Sequence, residues 1–290
     1  MAGPKNPKKR SAKSTPKKAS AEAASLATYV YCVLRADHAE RSSRAAPDAP
    51  LAKRGRRLPD ASAPRLLDAG GGHHLVVSSV PLPAYSAPSI EAKLRDLDWI
   101  GGAAAAHEAV IEGAAARGVV VPMKMFTIFT NDARAVEHVA KTKRRLDRAF
   151  SNIAGCDEWG LRILFDEAAA LERKRARARE RPTGPISGKS FLLGKKAQED
   201  TRRGLTSEAK LEVDDLFERL QREAKKAVRR APPSRELAAR VMLDAVFLVP
   251  RKSTEHFTSR VAQTAKGLAR DGYQISLTGP WPAYSFVEER

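Results

Sequence analysis

The chain has 290 residues, 42% of them hydrophobic and 6% aromatic, with 52 Lys and Arg against 34 Asp and Glu, a formal charge of +18. That is enough length for two domains of ordinary size and enough apolar side chain for a sizeable core. No apolar run approaches the roughly 20 residues that span a bilayer, and the basic N-terminus lacks the apolar stretch of a secretory signal, so neither a membrane span nor a signal peptide is expected.

The charge is uneven. Lys5, Lys8, Lys9, Arg10, Lys13, Lys17 and Lys18 stand near the start with no acid among them. Residues 1–25 hold almost no large apolar side chain, so burial cannot offset the entropy of ordering them, and a disordered basic tail is expected. Tyr29-Val-Tyr-Cys-Val-Leu34 is a compact aromatic and β-branched run that predicts a buried strand. Residues 35–72 contain Pro47, Pro50, Pro59, Pro64 and Gly70 to Gly72 and read as a long flexible insertion. His74 to Val80 is a second strand, stopped by Pro81 and Pro83. Ile90, Leu94 and Leu97 recur at helical spacing over 89–97. Ala103, Ala106, Val110 and Ala114 predict a helix after Trp99 that ends at Gly118. Val119 to Phe126 is a third strand. Asn131 or Asp132 is suited to cap a helix faced by Val136, Val139, Leu146 and Phe150. Trp159 to Phe165, apolar at alternate positions, is a fourth strand. Residues 26–166 thus read as an α+β domain, a sandwich with helices on one face of a mainly antiparallel sheet.

Residues 167–290 read as a second domain. Residues 167–181 have a strong helix composition with a solvated surface, broken by Pro182 to Gly188. Val213, Leu216, Phe217, Leu220, Ala224 and Val228 predict one long helix over about 189–230, ended by Pro232-Pro233. Val241 to Val249 is a strand. A helix faced by Phe257, Val261, Ala265 and Leu268 follows and ends at Asp271-Gly272. Tyr273 to Thr278 is the last strand. This half is a helical hairpin with a small βαβ-like element, and there is no internal repeat.

The basic balance admits nucleic acid, an anionic surface or an acidic protein as partner. Arg173-Lys-Arg-Ala-Arg-Ala-Arg179 reads as a solvated helix face, because nucleic-acid modules add interleaved aromatics or a recognisable fold. Nucleic acid is therefore the secondary reading. Gly184-Pro-Ile-Ser-Gly-Lys-Ser190 imitates a phosphate-binding loop but has three residues between its glycines, not four, and no strand before it. His107-Glu108 lacks the second histidine of a zinc helix, since position 111 is Ile, and reads as a locally bonded histidine beside a core face. Cys156-Asp157-Glu158 sets a thiol beside two acids, which blunts a nucleophile, and reads as a turn. Cys32 and Cys156, the two cysteines, are expected as reduced core thiols. No catalytic residue, cofactor site or metal site emerges.

Six ordered segments carry a resemblance. They are Tyr29-Val-Tyr-Cys-Val-Leu34; Asp98-Trp99-Ile100 with His107-Glu108; Val121-Pro122-Met-Lys-Met-Phe126; Glu158-Trp159-Gly-Leu-Arg-Ile163; Gly188-Lys-Ser-Phe-Leu192; and Gly279-Pro280-Trp281-Pro282-Ala-Tyr284-Ser-Phe286. Together they resemble the GvpF/GvpL family of gas vesicle accessory proteins over about 26–290. Cys32 stands where a glycine is usual, Met125 and Thr127 alter the third-strand motif, and Ala283 replaces a second proline.

The resemblance implies two domains, the second ferredoxin-like with long helices, and a cytoplasmic, vesicle-associated assembly factor without catalysis or cofactor. It implies contact with the small hydrophobic shell subunit and with other vesicle proteins. Trp281 and Tyr284 are expected either as docking anchors or as core residues that lock the end of the chain onto its domain.

Overall fold

The computed structural model describes residues 25–35, 51, 57–179, 189–231, 240–268 and 271–287. The expectations for the basic tail, for most of the 35–72 insertion, for the break at 182–188 and for Pro232-Pro233 lie outside the described residues.

The fold is α+β, built on two antiparallel sheets. The first centres on β1 (Leu26–Arg35), which pairs with β3 (His73–Pro81) on one side and with β4 (Val119–Pro122) and β5 (Ile128–Phe129) on the other. The four-residue β2 (Arg65–Asp68) extends it beyond β3. A register shift in β1 between Val30 and Cys32 changes which residues face which side. Tyr29, Tyr31, Cys32 and Leu34 turn to one core, while Val30 and Val33 turn to another.

Helices cover both faces of this sheet, not one as expected. After the short α1 (Ala87–Lys93), α2 (Leu97–Ala115) packs Ala103, Ala106, Val110 and Ala114 on the Tyr29 side. The Asp96 carboxylate caps it by accepting the N–H groups of Asp98 and Trp99. On the Val30 side lies α3 (Asp132–Ile153), amphipathic over 22 residues. Asn131 is its cap. Asp132 instead accepts from both Arg65, at 2.8 Å, and Thr28, at 2.7 Å, tying β2 and β1 to the helix start.

The second sheet has the order β7-β8-β6-β9. It comprises β6 (Cys156–Phe165), β7 (Lys226–Arg229), β8 (Arg240–Pro250) and β9 (Tyr273–Trp281). Helices α4 (Glu167–Arg179) and α5 (Lys189–Glu223) connect β6 to β7, and α6 (Thr254–Leu268) connects β8 to β9. This is a β-α-β-β-α-β ferredoxin-like connectivity with one more helix in the first crossover. One face packs Leu161, Ile163, Phe165, Leu243, Ala245 and Phe247 against α5 and α6. On the opposite face, Val246 and Leu248 share a core with α3, Ala283 and Phe286, so α3 lies between the two sheets.

Two expectations fail here. The fourth strand, assigned to the N-terminal half, pairs with β8 and β9 in the second sheet. The long helix stops at Glu223, and residues 226–229 form β7 against β8. Ala224 and Val228 keep helical spacing, but pairing with the edge of β8 decides their conformation.

Candidate functional site

Residues of five of the six segments gather in two adjoining clusters, joined by consecutive residues of α2; the side chains of the sixth, 188–192, lie outside the described residues. In the first cluster, His107 is 6% exposed. Its Nδ1 lies 2.8 Å from the Tyr29 hydroxyl and its Nε2 lies 3.2 Å from the Met123 carbonyl. A carbonyl can only accept, so Nε2 carries the proton and Nδ1 accepts from Tyr29. The Tyr29 oxygen in turn accepts the Phe126 N–H at 3.1 Å. These bonds are long-range rather than local, and they clamp the loop that follows Pro122 at the end of β4.

The clamped loop holds Phe126 at φ 64°, a conformation that costs a residue with a Cβ about 1–2 kcal/mol. The ring stacks on Trp99 with centroids 5.6 Å apart and planes 6° from parallel, and Lys93 lies over the Trp99 face. Phe126→Gly and Phe126→Ala both remove the stack, but only glycine relieves the backbone. Urea unfolding should therefore find Phe126→Gly more stable than Phe126→Ala by about 1 kcal/mol.

Burial depresses the His107 pKa from 6.5 to about 4, with the hydrogen bond to Met123 opposing. The folded state thus refuses a proton that the unfolded state accepts. Stability contributed by the neutral ring is intact above pH 6.5 and is lost as pH falls toward 4, by about 3 kcal/mol in all. The urea midpoint should fall through that window, and His107→Gln, which can keep both hydrogen bonds, should flatten the decline.

In the second cluster, residues 279–287 fold across the junction of the two sheets. Gly279 has φ +137°, and a Cβ there would stand 2.9 Å from both the Glu158 carbonyl oxygen and the Trp159 ring. The Gly279-Pro280 bond is cis. Trp159 is buried against the α5 and α6 side. Pro282 begins a tight turn through Tyr284, whose hydroxyl donates to the Glu108 carboxylate. Phe286 is buried in the core beside α3.

Glu158 organises this segment. Its carboxylate, 4% exposed, accepts the Ser285 N–H at 2.7 Å and the Ser285 hydroxyl at 2.8 Å. The Arg230 guanidinium reaches it at 3.1 Å and donates to the Ser285 hydroxyl at 2.9 Å. Burial raises the Glu158 pKa, opposed by the Ser285 bonds and the Arg230 charge. Burial also raises that of Glu108, opposed by the bond from Tyr284. Neither Arg230 nor Ser285 was singled out from the sequence. The Arg230 link is invisible there because 72 residues separate it from Glu158.

Trp281 is the exception among these aromatics. It pairs with Glu158 across β6 and β9, yet it remains 40% exposed. It lines a cavity of about 220 Å³ with Pro280, Pro282, Ala116, Ile153 and Arg251. Cys156, expected in a turn, is a buried strand residue on the wall of the same cavity, and both cysteines are buried and outside any disulfide. Among the described residues, no cluster of three or more His, Cys, Asp or Glu could hold a metal, and no helix is long and apolar enough to cross a membrane.

A family model described as gas vesicle synthesis protein GvpL/GvpF matches residues 27–288. Gas vesicle protein L of a Streptomyces species is 29% identical over 234 residues, which is 77% of this chain and 83% of that protein. Gas vesicle protein L2 of Halobacterium salinarum is 25% identical over 216 residues, 67% of this chain and 74% of its own length. The crystal structure of GvpF from an Anabaena species superposes with TM-score 0.60 at 17% identity, covering 92% of this chain and 98% of that one. For GvpF from Microcystis aeruginosa the TM-score is 0.56 at 16% identity, with 91% and 99% covered. At those identities the structural likeness is one of fold.

Proposed function

The chain belongs to the GvpL/GvpF family of gas vesicle synthesis proteins, and from that premise we propose that it is a non-enzymatic assembly factor that binds the small hydrophobic shell subunit and other vesicle proteins in the cytoplasm. The observation that carries the reading is the extent of the family match, which takes in both sheets and the whole segment 279–287. An apolar shell subunit must be kept from self-association before it joins a growing wall, and a charge-rich helical protein can cover it without adding an aggregation hazard of its own. The buried Glu158 and His107 and the half-buried Glu108 are engaged in holding the chain together, which suits a binding protein. We read two domains, meeting near Gly155 where α3 hands over to β6.

Trp281 is our candidate anchor for the shell subunit, because partly exposed tryptophan beside a cavity is the kind of residue that dominates binding energy. Trp281→Ala should weaken binding of the shell subunit in a co-purification by about thirtyfold, corresponding to a loss near 2 kcal/mol. Its melting temperature should stay close to that of the parent chain. Unchanged retention, or a collapse of the melting temperature, would remove Trp281 from this role.

A further inference from the structure

The largest of the three described cavities, about 320 Å³, is a groove between α3 and the β4–β5 edge of the first sheet. Val33, Val121, Val139 and Leu146 form part of its apolar floor, with Phe129 and Val287 at its sides. Among the described residues, those lining it whose side chains can carry charge are Lys124, His138 and Arg145, all basic or basic-capable and all exposed. The other two cavities mix signs, with Glu112 and Asp157 beside Arg251 in one and Glu208 and Asp271 beside Arg173 in the other. The groove shares no lining residue with the Trp281 cavity.

We propose that this groove is a docking site for an acidic amphipathic protein segment, one that places two or so bulky apolar side chains on the Val121–Leu146 floor and a carboxylate beside Arg145. The charge selects the partner: an apolar anchor alone would fit many segments, whereas a basic rim rejects cationic ones and draws in acidic ones. Helix-in-groove recognition has this form, with apolar anchors at helical spacing and rim charges that set specificity. The rim also lies on a chain of net +18, so the long-range field favours the same partner.

The test is independent of vesicle-protein binding, because its probes carry no vesicle-protein sequence. The full chain is titrated into three fluorescein-labelled synthetic peptides, each followed by anisotropy. One has leucine at helical spacing with glutamate between, the second replaces glutamate by lysine, and the third replaces leucine by serine. The leucine–glutamate peptide should bind and the other two should bind at least about tenfold more weakly. Arg145→Glu reverses a rim charge at an exposed position. Thr142→Trp fills the groove from a half-buried helix position whose hydroxyl bonds only to its own helix among the described residues. Each should weaken the leucine–glutamate peptide by about tenfold, with the circular dichroism and melting temperature of the parent chain. Absence of binding, equal binding of either control peptide, or binding indifferent to both variants would overturn the proposal.

Discussion

Replacing Glu158 with alanine should lower stability by about 3 kcal/mol, because one buried carboxylate is the acceptor for the Ser285 N–H, the Ser285 hydroxyl and the Arg230 guanidinium. Hydrogen bonds to a charged acceptor contribute about 1.5–3 kcal/mol each, but Arg230 is 43% exposed at its side chain and can turn to water, so the sum is well below three full bonds. For a chain of this size the loss lowers the melting temperature by roughly 6–10 °C. Glu158→Gln keeps an acceptor oxygen while losing the charge, and should show about half the effect. The location of the damage is as informative as its size. Residues 279–287 lose their tether to β6, so limited proteolysis should cut near Trp281 and Tyr284 in Glu158→Ala before it cuts elsewhere. A loss under 1 kcal/mol, or first cleavage elsewhere, would remove Glu158 from this organising role.

Gly279→Ala should be at least as damaging, at about 4 kcal/mol. Two independent costs add. The backbone stands at φ +137°, where a side chain is strained by about 1–3 kcal/mol. The new methyl would also stand 2.9 Å from the Glu158 carbonyl oxygen and from the Trp159 ring, neither of which is the free end of a flexible side chain, and such overpacking costs about 1–3 kcal/mol more. Equilibrium urea unfolding measures the sum. Because Gly279 and Glu158 hold the same segment, the double variant should lose less than the two single losses together. Full additivity would mean that they act on separate parts of the fold.

Much of the architecture was legible because long elements repeat their apolar positions. The strand at Tyr29–Leu34, the helix through Val139, Leu146 and Phe150, and the strand at Val241–Val249 all carry their pattern in the chain itself. The short strands do not. Arg65–Asp68 and Lys226–Arg229 have four residues each, too few to show a period, and they exist because β3 and β8 offer them partners. The placement of β6 in the second sheet was also hidden, since alternation reports burial on a face but not which strand lies alongside.

At the site, sequence resemblance drew attention to Glu158, Trp159 and Gly279 to Phe286 without saying what they do together. Their arrangement rests on contacts across 127 residues, from Glu158 to Ser285, and 176 residues, from Glu108 to Tyr284. The pattern around His107 suggests a local hydrogen bond, whereas its partners are Tyr29 and Met123, on β1 and after β4. Trp281 and Tyr284, weighed together as core or anchor, take different places. Tyr284 is half-buried on Glu108, while Trp281 is left 40% exposed at the end of β9.

The claim that this chain escorts the vesicle shell subunit is tested most directly with the two purified proteins. The shell subunit, released from denaturant by dilution, should remain in the supernatant after centrifugation when the chain is present and should co-elute with it on size exclusion. It should sediment when the chain is omitted or replaced by an unrelated protein of similar basic charge. Sedimentation to the same extent with the chain present, and no co-elution, would contradict the account.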